Sequence, residues 1–516
     1  MTFPYTRPPG LTAPEPRHKV IIVGAGPIGL ALAIDLAQYG VPSVVLDDNN
    51  VVSVGSRAIC WSKRSLEILD RLGIGQKCAQ KGVIWHVGRT WHRDTEIWNF
   101  DLQPDPGHKM PAFVNLQQYY VEDYLVTRAG DFPDLIDLRW KNRVTGVTDQ
   151  TLTIATPDGA YALSADHIVA CDGARSPLRA MLGLDFAGEL FEERFLIADI
   201  EMRADFPSER RFWFQPTFHP GQSALLHKQP DNIYRIDLQL GWDADPKAEA
   251  QPDRVIPRIE KAVGHSDFRL DWVSVYTFQC RRLASFVHGP VIFAGDSAHV
   301  VSPFGARGGN GGLQDIDALG WRLAAVAQGR DPAILNAYDR ERQHAADENI
   351  LNSARTTRFM SPAPGAEHLF RDAVLHLAAR AAFARPLVNS GRLSRPCTYP
   401  LDAADDPALP PDSRPGTVAP DAPLPDAPLP DGWLPDGWLI DRLGRAPLLL
   451  AIGQPAPQIA GLATLRLAPS AALTTRYLGA APHALYLIRP DQIVAARWQT
   501  APPEAISTAL TTLWQG

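Results

Sequence analysis

The chain has 516 residues, of which 45% are hydrophobic and 21% charged, and its formal net charge is −7. This composition is ordinary for a globular protein of two or three domains. No dense Lys/Arg cluster is present, which argues against nucleic acid or an anionic membrane as a partner, and five scattered cysteines without a Cys-x-x-Cys pair argue against a zinc site.

The first 17 residues are rich in proline and lack the apolar core of a signal peptide. We therefore expect residues 1–17 to form a flexible N-terminal tail. No apolar run is long enough to cross a bilayer, and an odd number of cysteines is typical of reduced thiols. The sequence predicts a cytoplasmic protein.

The first landmark is a strand, a glycine turn, a helix and a second strand in direct succession. Residues 20–23 form an unbroken apolar run, as a buried parallel strand requires. A G-x-G-x-x-G motif follows, formed by Gly24, Gly26 and Gly29. The second strand ends at Asp47, an acid placed to bond a ribose hydroxyl. A bare glycine motif is a weak signal, but this order of elements predicts a dinucleotide site.

Two polar residues downstream are candidates on weaker grounds. Arg57 follows a glycine in a loop near the predicted nucleotide, where it pairs with phosphate or is a solvated surface arginine, with both alternatives open. Gln118 lies in a helix predicted over 115–125 and is by default a surface amide. Residues 83–101, rich in aromatic and β-branched types, predict strands of an inserted sheet.

The second landmark is a strand that returns to the first sheet. The β-structure predicted over 135–171 runs into Asp172 and Gly173, followed by a helix start. From 193 to 278 the chain alternates apolar and polar residues, which is typical of antiparallel strands with one covered face. We expect this sheet to lie over a ligand pocket.

The third landmark is an apolar strand that ends at Gly295 and Asp296, followed by a glycine-dense loop and a helix. The loop has five glycines in residues 305–312, which few structural needs explain. Glycines let backbone N–H groups approach a ligand, and a helix N-terminus favours negative charge. The pattern therefore favours a second set of cofactor contacts.

The C-terminal fifth has a different composition. Ten prolines and four repeated pentads lie in 401–440, which predicts a semi-rigid extended linker that cannot build a core. Beyond it, strands at 447–452, 484–488 and 493–498 and a helix over 503–514 predict a small α/β domain.

With these landmarks, the chain resembles the single-component FAD-dependent aromatic hydroxylases (class A flavoprotein monooxygenases with the para-hydroxybenzoate hydroxylase fold). It is most similar to the phenol and 3-(3-hydroxyphenyl)propionate hydroxylase branch, which has a thioredoxin-like C-terminal domain. The resemblance implies an α/β fold: a Rossmann-type FAD-binding domain (about 18–80, 105–190 and 280–400), with an interleaved antiparallel substrate sheet (about 81–104 and 191–279). Residues 401–440 would be the linker and 441–516 the thioredoxin-like domain.

Position by position, the resemblance implies a set of residues that bind FAD. These are Gly24, Gly26, Pro27, Ile28, Gly29, Asp47, Asp48, Arg57, Gln118, Asp172, Gly173, Gly295, Asp296, Pro303, Gly308, Gly309 and Asn310. The carbonyl of Pro303 would face the reaction space, and Arg235 weakly matches an arginine that reaches the flavin. The chain departs from the family in using Asp instead of Glu as the ribose acid, and in lacking a thioredoxin cysteine pair.

The resemblance also implies the chemistry: NAD(P)H reduces FAD, O₂ adds to it, and a C4a-hydroperoxyflavin hydroxylates a phenolic substrate. Candidates to bind or deprotonate the substrate are the polar and aromatic side chains His227, Tyr234, Trp213 and Gln215, each of which is also explained by simple packing. A homodimer is possible. The alternatives are a flavin halogenase or dehydrogenase, although the halogenase Trp-x-Trp-x-Ile-Pro motif is missing, and a non-catalytic FAD-containing protein.

Overall fold

The computed structural model describes residues 2–53, 58–103, 106–241, 243–363, 365–388, 393–424 and 437–516, with the backbone alone at 191–193. Arg57 and the pentads within 425–436 lie outside the described residues. Within the described ranges, no helix is both long and apolar enough to cross a membrane.

The first part of the chain alternates short helices with strands of several sheets. In chain order its elements are β1 (His18–Val23), α1 (Pro27–Gln38), β2 (Ser43–Leu46), β3 (Cys60–Ser62), α2 (Lys63–Arg71), α3 (Gly75–Lys81), β4 (Val83–Trp85), β5 (Val87–His92), β6 (Thr95–Asp101), β7 (Phe113–Asn115), α4 (Gln118–Ala129), β8 (Ile136–Arg139), β9 (Arg143–Thr148), β10 (Thr151–Thr156), β11 (Gly159–Ala170), α5 (Pro177–Met181), β12 (Ala187–Glu201), β13 (Arg210–Phe214), β14 (Ser223–Lys228) and β15 (Ile233–Leu240).

The second part contains the long helices and the C-terminal sheet. Its elements are α6 (Pro246–Glu249), α7 (Pro252–Val263), β16 (Arg269–Arg282), β17 (Val287–His288), β18 (Val291–Phe293), β19 (His299–Val300), α8 (Gly308–Ala327), α9 (Leu335–Met360), α10 (Ala366–Ala378), α11 (Arg385–Val388), β20 (Pro423–Leu424), β21 (Gly437–Trp438), α12 (Leu439–Arg442), β22 (Leu448–Ile452), β23 (Ala463–Leu467), α13 (Ala471–Leu473), β24 (Ala484–Ile488), β25 (Val494–Trp498) and α14 (Pro503–Leu513).

The nucleotide-type sheet has the strand order β17-β18-β11-β1-β2-β8. Its five strands from β18 to β8 are parallel, because each is reached by a crossover, and only β17 is antiparallel. Strands β9 and β10 extend β11 as an antiparallel hairpin. Helices α1 and α8 pack against each other beside this sheet. The three sequence landmarks therefore end at one edge, where the carboxyl ends of β1, β11 and β18 meet.

The second large sheet has the order β19-β16-β12-β15-β14-β13-β5-β6, and all its pairs are antiparallel except β13 with β5. Strands β5 and β6 thus join the sheet predicted from 193–278. Strand β4 does not: it pairs with β7 in a separate three-stranded sheet with β3, so the part of the predicted insertion at 83–85 is corrected.

The N-terminal segment is packed against the protein, so the prediction of a flexible tail is wrong. Phe3 stacks on Trp140 with ring centroids 4.7 Å apart. The guanidinium of Arg139 donates to both carboxylate oxygens of Glu15, at 2.8 and 2.7 Å. A proline-rich segment without periodicity is ordered here by tertiary contacts that its own sequence does not reveal.

The C-terminal sheet has the order β23-β22-β24-β25, with β22 parallel to β23 and antiparallel to β24. Strand β23 was missed by the sequence analysis. The prediction of an extended linker is wrong for the described residues before 425, because four of them are buried in the core of this unit: Leu409, Ala419, Ala422 and Leu424.

Candidate active site

The glycine turn after β1 combines two tightly packed glycines with one open glycine. A Cβ on Gly24, whose φ is +108°, would lie 2.4 Å from the carbonyl oxygen of Cys171. A Cβ on Gly29 would lie 1.9 Å from the Gly24 carbonyl oxygen. Gly26 has an ordinary φ of −76° and meets no protein atom within 4 Å of an added Cβ. The turn thus leaves a space beside Gly26, at the start of α1, where Pro27 is the first residue.

Ile28 joins the first landmark to the third. A Cβ on Gly312 would lie 2.7 Å from Ile28 Cδ1, and one on Gly295 would lie 3.1 Å from Ile28 Cγ1. A larger side chain at Gly312 would require Ile28 to move, so glycine allows α1 and α8 to approach this closely without strain. The two helix N-termini are therefore brought to the same edge of the sheet, which creates a site that favours anions.

Asp47 lies at the end of β2 next to the glycine turn. Its carboxylate oxygens accept hydrogen bonds from the backbone N–H groups of Ala25, at 2.7 Å, and Asn49, at 2.8 Å. Burial raises the pKa of Asp47, and these two hydrogen bonds oppose that effect. Asp48 is exposed and accepts from the Asn49 side chain at 2.8 Å. Each Asp47 oxygen retains a second lone pair for a hydroxyl group.

Gln118 is the first residue of α4, and its side chain bonds to residues on both sides of the undescribed range 54–57. Its Oε1 accepts from the backbone N–H of Ala58 at 3.1 Å, and its Nε2 donates to Glu122 at 2.8 Å. Glu122 in turn accepts from the N–H and hydroxyl of Ser53, at 2.5 and 2.6 Å. The helix begins at Gln118 rather than at 115, and the sequence analysis missed Glu122.

Asp172 follows β11 and carries an unsatisfied atom. Its Oδ2 accepts from the backbone N–H of Leu178 at 3.1 Å, whereas its buried Oδ1 has no hydrogen-bond partner among the described residues. Burial raises the pKa of Asp172. Gly173 has a φ of +79° and open space beside it. A buried acceptor without a partner is costly, so this orphaned oxygen fits a ligand that donates a hydrogen bond.

A buried ionic network, absent from the sequence predictions, supports the third landmark. Asp315 accepts from Gly295 N at 2.8 Å, from His299 Nε2 at 2.7 Å and from Arg342 Nε at 2.6 Å. Arg342 also donates to the carbonyl of Gly311 at 3.1 Å. Burial raises the pKa of Asp315, but the charges of His299 and Arg342 outweigh it and lower the value to about 2. Asp296 lies exposed beside this network.

The glycine-dense loop is helical earlier than predicted, since α8 begins at Gly308. None of the side chains that the structure describes caps this N-terminus, and the first backbone N–H groups, including those of Gly309 and Asn310, have no partners within the helix. The Asn310 side chain is already used: it accepts from Ser62 N at 3.0 Å and donates to the carbonyl of Cys60 at 2.9 Å. Only its main chain is open to a cofactor.

Pro303 lies in the turn that precedes α8. It is exposed, and its carbonyl oxygen accepts from the backbone N–H of Ala306 at 3.0 Å. The next residue, Phe304, packs against Phe195 and Phe278 of the large antiparallel sheet, with centroid distances of 4.9 and 5.3 Å. We call the sheet face that carries these two rings the inner face. Pro303 therefore lies where the glycine-dense loop meets the inner face.

The strand period separates the predicted substrate residues onto two faces. Arg235 and His227 lie on the inner face: Arg235 donates to both oxygens of Asp199, at 2.9 and 3.3 Å. Burial lowers the pKa of His227 well below its usual range, and its Nδ1 lies 3.9 Å from the sulfur of Cys60.

Tyr234, Trp213 and Gln215 are not brought to the inner face. Tyr234 packs under α7 in the apolar cluster on the opposite face of the sheet, which we call the outer cluster. It donates to the carbonyl of Ala204 at 2.8 Å. Trp213 stacks on Trp91 with centroids 4.9 Å apart and also contacts the outer cluster. Gln215 lies in the hairpin after β13. Because neighbouring residues of a strand point to opposite faces, the catalytic prediction for Tyr234 is corrected.

Comparison with known proteins identifies the family of the chain. A family model described as FAD binding domain matches residues 17–353. The chain belongs to this family. A flavin-dependent monooxygenase from Mycobacteroides abscessus is 33% identical over 370 residues, which cover 67% of this chain and 76% of that protein. A 3-(3-hydroxy-phenyl)propionate/3-hydroxycinnamic acid hydroxylase from Mycolicibacterium smegmatis is 27% identical over 66% of this chain and 61% of its own length.

A solved structure also matches nearly all of this chain. The crystal structure of the flavin-dependent monooxygenase PieE, in complex with FAD and substrate, matches 98% of this chain and 100% of that chain with a TM-score of 0.80 at 20% identity. This match shows the fold. The predicted family, fold class, FAD cofactor and flavin-dependent monooxygenase activity are confirmed. Among the described residues, no group of three or more His, Cys, Asp or Glu side chains could hold a metal ion.

Proposed function

We propose that the three landmarks hold a single FAD, with the pyrophosphate beside Gly26 and the flavin ring at the N-terminus of α8. Three observations support this placement: the open space beside Gly26, the orphaned Oδ1 of Asp172 and the uncapped start of α8. Asp47 binds the adenosine ribose, and Gln118 holds the backbone at Ala58. Arg57 remains a cofactor contact predicted from the sequence.

Bound FAD supplies the redox chemistry with NAD(P)H and O₂. The chain supplies its surroundings. The partial positive charge of the α8 N-terminus stabilises negative charge on the bound cofactor. Aromatic side chains around Phe304 exclude water from the reaction space, and α10 packs over the same cluster. Asp199 fixes the position of the Arg235 guanidinium in the inner face, and the ion pair as a whole has no net charge.

The substrate is a phenolic or related aromatic compound. The relative from Mycolicibacterium smegmatis supports this class, since it is named as a hydroxylase of hydroxyphenyl compounds. The inner face provides both components that such a substrate needs. The aromatic cluster receives the ring, and the polar row that contains His227 and Arg235 receives its hydroxyl group.

The test is turnover by the yellow holoprotein. NADH and NADPH oxidation and O₂ uptake are measured across a panel of phenols, with products identified by mass spectrometry. Stimulated uptake with a product one oxygen heavier supports the proposal. A halide-dependent product indicates a halogenase, oxidation without oxygen insertion indicates a dehydrogenase, and no turnover with any phenol indicates a non-catalytic FAD protein.

We also propose the division into an FAD-binding domain, an inserted substrate sheet and a C-terminal unit that is structural. Buried charges support the last point: Arg489, at the turn after β24, donates to both oxygens of Glu341 in α9 at 2.7 and 2.9 Å. Arg322 of α8 donates to the same carboxylate. The C-terminal unit thereby holds both long helices in place.

A homodimer is the proposed assembly. Exposed apolar side chains on α10 and the segment after it support it, since patches of this kind mark interfaces: Leu369, Phe370, Leu377, Phe383 and Leu387. Light scattering coupled to gel filtration tests this. The predicted cytoplasmic location remains a prediction.

A further inference from the structure

Four polar side chains lie in one row across the inner face. Strand register places Asp199 opposite Arg235, and Arg235 opposite His227. The next strand pairs Arg211 with Leu226, which brings the preceding residue, Arg210, beside His227. Arg210 shares the face of Phe212 and Phe214, whose rings belong to the same hydrophobic cluster as Phe304. We call this the inner cluster. The row therefore runs from β12 to β13 beside the aromatic cluster.

Asp237 lies two residues after Arg235 on β15 and therefore on the same face of the sheet. Its register partners are Ile197 on β12 and Leu225 on β14, and Leu225 belongs to the inner cluster. The neighbouring residues Ile236 and Leu238 pack in the outer cluster, as the strand period requires. Asp237 thus faces the same space as Phe304, the residue that follows Pro303.

Asp199 and Arg235 pair with each other, whereas one oxygen of Asp237 and the guanidinium of Arg210 are less fully bonded. Arg235 is paired with Asp199, which also accepts from Gln229 at 3.2 Å. In contrast, Oδ1 of Asp237 is buried without a hydrogen bond. Within the described part of the chain, Arg210 makes a cation–π contact with Phe212 at 5.8 Å, and no hydrogen bond or ion pair is found for it.

A buried carboxylate oxygen without a hydrogen bond is costly unless a ligand donates to it, and the charge of Arg210 acts on the same carboxylate. Burial raises the pKa of Asp237 to about 6, opposed by Arg235, and burial lowers the pKa of Arg210. A hydroxyl group fits this pair, because it donates one hydrogen bond and accepts others. A carboxylate fits less well, because it would repel Asp237.

We propose that Asp237 and Arg210 bind and deprotonate the hydroxyl group of the aromatic substrate. The O–H proton passes to a carboxylate oxygen of Asp237, and the electron pair stays on the substrate oxygen, where Arg210 donates to it. This proposal rests on the proposed aromatic hydroxylase function. It commits the site to substrates with a free phenolic or enolic hydroxyl and excludes their methyl ethers.

The proton transfer has a defined electrostatic setting. A phenolate ring is richer in electrons than the phenol, so deprotonation activates it toward electrophilic oxygen transfer. The charged and titratable groups that face Asp237 and Arg210 from the surrounding strands are Arg235, Asp199, Cys60 and His227. Below about pH 6, Asp237 is protonated and cannot accept the proton, so we expect phenol binding to weaken as the pH falls through this value.

The experiment uses the FAD-loaded protein and 4-nitrophenol, whose phenolate is coloured. Difference spectra are recorded just above pH 6, where Asp237 is ionised and free 4-nitrophenol is still mostly neutral, and they report which form is bound. We expect the wild type to bind the phenolate. Asp237→Asn should bind at least about tenfold more weakly and without the phenolate band, because an amide cannot take the proton. Arg210→Met should lose the band as well.

Controls separate this inference from folding and from the proposed function. Tyr234 lies on the same strand as Asp237 but on the outer face of the sheet. Tyr234→Phe should therefore bind the phenolate as the wild type does, and all variants should retain FAD. A phenolate band of wild-type strength in Asp237→Asn would overturn the assignment while the hydroxylase function stands. Equal affinity for 4-nitroanisole or 4-nitrobenzoate would also overturn it. If no phenol binds to the wild type, both proposals are wrong.

Discussion

The sharpest perturbation of the nucleotide turn is Gly26→Ala. Gly26 has φ −76° and ψ −175°, which any residue adopts, and an added Cβ meets no protein atom within 4 Å. The substitution should therefore stabilise the apoprotein by about 0.4–1 kcal/mol, because it reduces the entropy of the unfolded chain. If the pyrophosphate approaches the backbone here, the same methyl group should weaken FAD binding at least about tenfold, or about 1.4 kcal/mol.

Gly40→Ala is the matched control at the other end of α1. Its Cβ also meets nothing within 4 Å, but its φ of +74° is left-handed, so alanine should cost about 1–2 kcal/mol. FAD affinity should not change. Fluorescence titration of apoprotein with FAD and thermal unfolding measure the two effects. If Gly26→Ala binds FAD as tightly as the wild type, the pyrophosphate does not lie at this turn.

Three further predictions concern the supports of the site. Asp315→Asn should destabilise the protein by about 3–5 kcal/mol in denaturant titrations, because Arg342 would be left buried without its carboxylate. The folded pKa of Asp315 is about 2, below the unfolded value of about 3.9. Its contribution to stability is therefore present above about pH 4 and is lost as the pH falls toward 2. In the variant, the loss of stability over this pH range should be smaller. Tyr234→Phe should cost about 1 kcal/mol in thermal unfolding and leave turnover unchanged, and a tenfold loss of turnover would contradict the assignment of its strand face. Arg489→Met should lower stability by about 3–5 kcal/mol, and a change under 1 kcal/mol would show that the C-terminal unit is not anchored by this residue.

The sequence revealed those parts of the site whose residues lie close together along the chain. The glycines at 24, 26 and 29 reveal their turn because strand, turn and helix follow one another. The network of Asp315, His299 and Arg342 could not be found in this way, since its members come from three elements and each residue alone has an ordinary structural explanation. The same holds for Glu122.

The alternation of apolar and polar residues along β15 was visible in the sequence. The sequence did not show which face of the sheet is covered by the glycine-dense loop. The structure places Arg235 and Asp237 toward Phe304 and places Tyr234 under α7, so only part of the predicted pocket remains. Similarly, proline content suggested a flexible tail at 1–17 and a semi-rigid extended linker at 401–440, whereas described parts of both segments pack against the protein. Composition describes the cost of ordering a segment but not the contacts that it meets.

The sequence alone therefore determined the cofactor class, the order of the landmarks and the strand periods, because these depend on neighbours along the chain. Tertiary structure decided which sheet face lines the reaction space, which charges are paired and which proline-rich segments are packed. These depend on contacts between residues distant in sequence, and only the folded chain brings those residues together.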